Sequence, residues 1–377
     1  VSFAASADPS GCPGDVRLAW DFGDGSPVEY GPAPVHVYEG PRGVARYFSG
    51  NPEDVSPPLF GPALDLGGGG ADVDDAIQWM IDAVRGCTDC QAKLDVVVLR
   101  ASGADGYNGP ILAMRGVNSV TTLVVPSRAD AFDAAVEEAV RRAEVVFFAG
   151  GDQARYVGFF SGGPVQPAVE SVYARGGGVG GTSAGMAIQG DVVYDALSGS
   201  VTSAEALADP YDARIHFTGD LFAWRDLEGT ITDTHFVSRD RMGRLMAFLA
   251  RQLRDAGAGA FWGVAADEGT SVTVDRDGLA RVMGRAAFFV LADHAPEVCE
   301  PGQPLTYGGF KIWKVPGGGA FDLRSRPSEG YYERSVRDGV LSSYPYASGS
   351  EAAPASVPPT EPPAGNAAVG SCGGVAA

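Results

Sequence analysis

The chain has 377 residues, with 28 Lys and Arg against 47 Asp and Glu, for a formal net charge of −19. That balance excludes a nucleic-acid partner, because nothing here would displace counterions from phosphates. The length suits one large domain with attachments, or two domains, and no apolar run is long enough to span a membrane.

Residues 1–43 are rich in Gly, Pro and Asp, with WDFGDGS at Trp20–Ser26 and HVYEG from His36. The stretch resembles part of a PKD-type β-sandwich repeat, whose last strands are missing here. The alternative is an acidic, loop-rich leader. The chain begins at Val1 and reads as mid-domain, so an upstream segment such as a signal peptide is expected.

Five cysteines follow the same logic of compartment: Cys12, Cys87, Cys90, Cys299 and Cys372. Cys87 and Cys90 form a C-x-x-C that follows a predicted helix and has neither a second pair nor nearby histidines. Zinc and thioredoxin-like roles are therefore weak, and a local disulfide in a secreted or periplasmic protein is the expectation. No metal and no cofactor is implied.

Residues 44–345 read as one domain. Short apolar runs at 94–99, 120–125, 144–150 and 177–181 predict buried strands. Between them, Val73, Ile77, Met80, Ile81 and Val84 fall at helical spacing, and 128–143 repeats that spacing with Ala and Val. Strands alternating with helices predict an α/β fold with a doubly wound, mostly parallel sheet and flanking helices. Such sheets carry their sites at the carboxyl ends of the strands. Gly67–Gly70 lies between a strand and a helix. No G-K-[ST] follows, so a tight turn near the site is favoured over a phosphate cradle. Residues 346–377 are Pro-, Ala- and Gly-rich, with too few large apolar side chains to offset their ordering entropy, and predict a disordered tail or linker.

The chemistry centres on Gly181-Thr182-Ser183-Ala184-Gly185, which fits G-x-S-x-G. A nucleophilic serine needs a base, and the chain has four histidines: His36, His216, His235 and His294. His235 follows a strand-like segment that runs into a helix predicted to begin near Arg239. A serine at the end of a neighbouring strand would lie beside it. The orienting carboxylate is expected from Asp267 or Glu268, one facing the site and the other a backbone cap or solvent. The order Ser, His, Glu argues against an α/β-hydrolase esterase, which would place its acid before its histidine.

FFAGGDQARYVGFF, GGTSAGMA, DTHFVSRDRMGRL and GVAADEGTSV occur in the order and approximate spacing seen in cyanophycinases. These are serine peptidases related to peptidase E, and the resemblance spans roughly residues 45–327. It implies a sheet like that of the class I glutamine amidotransferases, or flavodoxin-like. It also implies cyanophycin as substrate, β-aspartyl-arginine as product and a homodimer. Position by position, it implies Ser183 as nucleophile, His235 as base and Glu268 as its orienting acid. The N–H groups of Gly151 and Ala184 would form the oxyanion hole. Gln153, Asp233, Thr234, Arg239, Arg241 and Arg244 would line the substrate pocket, with Asp233 meeting the substrate's guanidinium. A purely internal ion-pair network around Asp233 and Asp240 is the alternative for the arginines. The family commonly has D-Q-H where this chain has Asp233-Thr234-His235, which leaves the side-chain specificity open. An isoaspartyl or acidic-peptide exopeptidase, and a binding protein with a silent peptidase core, are the other functions considered.

Overall fold

The computed structural model describes residues 42–257 and 259–347, together with one short strand pair, β1 (Ala19–Trp20) and β2 (Glu29–Tyr30). The rest of the PKD-like segment, Cys12, Cys372 and nearly all of the tail lie outside the described residues.

The first half of the domain alternates as expected. In chain order it runs β3 (Ala45–Gly50), β4 (Ala63–Gly67), α1 (Asp74–Arg85), β5 (Leu94–Arg100), α2 (Asn108–Leu112), β6 (Val117–Val124), α3 (Arg128–Ala131), α4 (Ala134–Arg142), β7 (Val145–Phe148), α5 (Gln153–Phe160), α6 (Val165–Ala174) and β8 (Gly178–Thr182). The single helix expected over 128–143 is two. Phe132 is exposed, and Asp133 starts the second helix by capping the N–H of Ala135.

The second half runs α7 (Ala184–Ala187), β9 (Val192–Tyr194), α8 (Ser203–Ala208), β10 (Phe217–Gly219), β11 (Thr230–Asp233), α9 (Met242–Ala256), β12 (Phe261–Ala266), β13 (Ser271–Val274), β14 (Leu279–Met283), β15 (Ala286–Ala292), β16 (Tyr307–Pro316), β17 (Ala320–Asp322), β18 (Tyr332–Arg337) and β19 (Val340–Leu341). Helix α9 begins three residues later than the sequence predicts, because residues 235–240 form turns and Arg241 is its N-cap.

Two sheets result. The larger has the order β17-β14-β13-β4-β8-β7-β5-β6-β3, with a parallel centre (β4, β8, β7, β5, β6) and antiparallel flanks. One face of its centre packs on Ile77, Met80, Ile81 and Val84 of α1. The other packs on α4, α5 and α6 through Val136, Val140, Val157, Phe160 and Val169. This is the doubly wound α/β arrangement. Its strands are apolar on both faces because both are covered.

The second sheet, β10-β9-β11-β12-β15-β16-β18-β19, is mostly antiparallel and was not foreseen. Trp262, Val264, Phe289 and Trp313 turn toward the first sheet's cluster, while Phe261, Ala265, Phe288 and Val290 turn toward Leu245, Phe248 and Leu249 of α9. Period-two alternation puts successive residues on opposite faces, so this sheet is a middle layer between the first sheet and α9. The β12–β13 turn crosses from one sheet to the other, and Glu268 lies in it.

Candidate active site

Three segments meet where the carboxyl ends of β4, β8, β11 and β12 converge. Ser183 sits at the elbow between β8 and α7 with φ 53° and ψ −116°, a conformation few non-glycine residues adopt. The flanking glycines permit it. A Cβ on Gly185 would lie 2.1 Å from the Phe148 carbonyl oxygen, and one on Gly181 would lie 2.6 Å from Gly185. His235 is also held at positive φ, 46°. Two strained non-glycine residues in one site need surrounding structure that over-determines them.

That structure includes the glycine run. The Gly67 carbonyl accepts from the N–H of Ser183 (2.9 Å), that of Gly68 from His235 N–H (2.7 Å), and that of Gly69 from Gly269 N–H (2.9 Å), next to Glu268. Successive carbonyls of one loop thus hold the backbones of all three segments. Gly69 lies directly under the imidazole, with φ 100°, and a Cβ there would be 2.5 Å from both Cε1 and Nε2 of His235. The run is a close-approach platform, which the sequence reading resolved only as a tight turn.

Ser183 Oγ is 2.7 Å from His235 Nε2, and His235 Nδ1 is 2.6 Å from Glu268 Oε1. With Glu268 ionised, Nδ1 carries the proton and Nε2 is left to accept from the serine. Burial pushes the His235 pKa below its ordinary value. The Glu268 hydrogen bond opposes that, and the nearby Arg239 and Arg241 charges reinforce it. The imidazole is therefore neutral near pH 7, as a general base must be. Asp267 serves the backbone instead, its Oδ1 accepting from Val237 N–H (3.1 Å) and Ser238 N–H (2.9 Å).

His235 does not neighbour Ser183 within one sheet, as the sequence reading expected. Ser183 leaves the first sheet and His235 the second, and Thr232 joins them by donating to the carbonyls of Met186 (2.8 Å) and Ala187 (3.1 Å). The remaining described histidines pair elsewhere, His216 with Asp195 and His294 with Asp293.

Ala184 is the first residue of α7, so its N–H has no intrahelical acceptor. Gly151 is exposed at φ 154°, and a Cβ there would meet no atom within 4 Å. The protein leaves this space open beside Gly150, whose own Cβ would lie 3.5 Å from that of Ser183.

The expected substrate pocket needs correction at two residues. Asp233 is buried and bound on both oxygens by Arg244, whose Nε lies 2.8 Å from Oδ2 and whose Nη2 lies 2.5 Å from Oδ1. This bidentate pair is the internal ion-pair alternative, so Asp233 is not free to meet a substrate guanidinium and Arg244 is not free for a carboxylate. Arg244 lies in the first turn of α9, where a cation opposes the macrodipole, and Asp233 offsets that cost. Arg241 donates to the carbonyl (2.9 Å) and hydroxyl (3.2 Å) of Thr234, and burial with Arg244 nearby pushes its pKa down to about 9. Thr234 is buried beneath it. Gln153 is partly exposed and donates to the Tyr194 carbonyl at 2.6 Å, and Arg239 is exposed. Among the described residues no group of His, Cys, Asp and Glu is arranged to hold a metal ion.

The relay gives a pH prediction. Replacing Glu268 by Gln removes the interaction that raises the His235 pKa, so the acid limb of kcat/KM moves to lower pH. The plateau falls by about 10²-fold, less than for a fully buried orienting acid, because the Glu268 side chain is 40% exposed. A pH–rate profile checks this, and a limb displaced to higher pH would contradict the assigned role.

A second prediction concerns stability. Asp65, buried in β4 and accepting from the Ser271 hydroxyl, has its pKa raised by burial to about 7. A raised folded-state pKa contributes stability below the unfolded value near 4 and loses it as pH rises toward 7. Asp65→Asn is expected to flatten that loss, raising Tm by a few degrees at pH 8 relative to its effect at pH 4. Thermal unfolding at both values measures it.

No protein-family model matches the chain. The crystal structure of a peptidase from an acI-B1 Actinobacterium superposes on the chain with TM-score 0.47 and 15% identity, covering 71% of this chain and 98% of that one. The chain is 26% identical over 216 residues to the cyanophycinase of Synechococcus elongatus, the match covering 56% of this chain and 62% of that protein. It is 28% identical over 218 residues to the cyanophycinase of Nostoc sp. (strain PCC 7120 / SAG 25.82 / UTEX 2576), covering 56% and 67%. The chain is thus similar, at a distance, to cyanophycinases over about half its length, less than the three quarters the motifs alone imply.

Proposed function

We propose that this chain is a serine peptidase of cyanophycinase type. The observation that carries the reading is the Ser183–His235–Glu268 line, with links of 2.7 and 2.6 Å, at the meeting point of two sheets. In this mechanism Ser183 Oγ attacks the scissile carbonyl carbon while His235 Nε2 takes its proton. The oxyanion is held by the N–H groups of Gly151 and Ala184, and His235 then protonates the leaving amine. Water, activated by the same imidazole, hydrolyses the acyl-enzyme. The substrate read from the resemblance is cyanophycin and the product β-aspartyl-arginine. The Cys87–Cys90 disulfide supports an extracytoplasmic setting.

One observation favours a second substrate. Because Arg244 occupies Asp233, the carboxylate expected to read an arginine side chain is already bound, which favours a β-aspartyl or acidic peptide without that side chain. Mass spectrometry of soluble products after incubation with insoluble cyanophycin, beside Ser183→Ala, separates the two. Release of β-aspartyl-arginine by the wild type alone supports the first. A wild type that reacts with a serine-directed probe yet releases nothing supports the second.

A further inference from the structure

A cleft of about 560 Å³ opens at the start of β11, a volume within the range of small-molecule sites. Its lining includes Arg225, Asp226, Glu228, Arg324 and Arg326. The His235 turn follows the opposite end of the same strand. By strand rise, Gly229 in the cleft is about 13 Å from Asp233, so the cleft is separate from the catalytic row. In a chain with 28 Lys and Arg against 47 Asp and Glu, three guanidiniums in one cleft run against the overall charge.

Two of the three are fixed by the fold. Arg324 is held by the buried Asp226, with Nε 2.6 Å from Oδ1 and Nη2 3.2 Å from Oδ2. Gly278 lets this pair pack closely, since a Cβ there would lie 2.7 Å from Arg324 Cγ and 2.9 Å from Asp226 Oδ1. Arg326 is held at a positive φ of 46°, with Nε and Nη2 donating to the carbonyls of Leu323 (3.0 Å) and Glu228. Each guanidinium is thus anchored through its Nε–Nη2 edge, which leaves Nη1 at the other edge. Among the described residues, Nη1 of Arg324, Nη1 of Arg326 and the whole Arg225 guanidinium have no acceptor. Arginine is not deprotonated in proteins, so these groups are cationic donors at any working pH. Asp226 is taken up by Arg324, and Glu228 is the one opposing carboxylate left in the lining.

We infer that this cleft is a second binding site, for a ligand carrying two or more oxyanion groups, carboxylate or phosphate. The planar fork of arginine matches both. The donors come from two separate segments, at Arg225 and at Arg324 and Arg326, and the space is larger than one inorganic anion fills, so the groups of the ligand are spaced apart. Anchored side chains lose little freedom on binding, which favours affinity.

The test is calorimetric titration of the full chain with citrate and with pyrophosphate at low salt. One-to-one binding of at least one of them is expected, weakened about 5- to 10-fold by Arg225→Gln. Glu228→Gln, which removes the opposing carboxylate, should tighten it about 2- to 3-fold. Arg225 is exposed and holds no other group, so its replacement should leave Tm unchanged. Tighter citrate identifies a carboxylate ligand, and tighter pyrophosphate a phosphate ligand. Binding of neither anion, or binding that Arg225→Gln leaves unchanged, overturns the inference. Serine-probe labelling of Ser183 should be the same in both variants, so this site and the peptidase reading can fail independently.

Discussion

Ser183→Ala is expected to lower kcat by about 10⁴-fold or more while leaving peptide binding intact. The size follows from the geometry. Oγ lies 2.7 Å from His235 Nε2, and alanine has no atom to take its place in that line. Members of such a relay act as a unit, so Ser183→Ala with His235→Ala should be no worse than either alone. Additive losses would mean that the pair at 2.7 Å does not work together. Kinetics on a soluble β-aspartyl substrate, with Kd taken from calorimetry, decides it.

Gly69→Ala is the second. The added methyl group would sit 2.5 Å from Cε1 and Nε2 of His235, at a backbone φ of 100°. The imidazole cannot stay in place, and displacement of a base by about 1 Å costs at least 10² in rate. With the strained backbone added, a loss of about 10³-fold in kcat is expected, with KM little changed. Gly257→Ala is the control. It shares the positive φ (62°) but meets nothing within 4 Å, and it lies at the far end of α9. A kcat for Gly69→Ala within a factor of three of wild type would refute the platform.

These two residues were not equally legible. Ser183 announced itself through its flanking glycines, and the strands of the first sheet through continuous apolar runs, because a covered parallel strand is apolar on both sides. Asp267 and Glu268 divided as the chemistry of adjacent carboxylates requires, one to the backbone and one to the imidazole. Gly69 was read only as a turn, because its constraint comes from His235, 166 positions later, and no local pattern encodes that contact. The second sheet was missed for a related reason. Its central pairings are non-local, with β9, β11 and β12 parallel and β12 pairing with β15 across the intervening β13 and β14, and the sheet's membership switches at the β12–β13 turn. For the arginines after His235 the sequence left open substrate contact or an internal ion-pair network, and Arg244 pairs with Asp233 of the chain itself.

Tyr346 has a consequence for how the protein is made. Its hydroxyl donates to the Phe236 carbonyl (3.1 Å) and contacts Asp240 Oδ1 (3.0 Å), while accepting from Met242 N–H (2.9 Å), so it pins the turn that carries His235. Lys314 holds the Tyr346 carbonyl from the second sheet. A ribosome that has translated past Glu268 has made every member of the relay, yet not the tyrosine that fastens the histidine's turn. Since chains fold as they emerge, the His235 turn of the nascent protein stays unfastened until some eighty further residues are synthesised and Tyr346 can reach it.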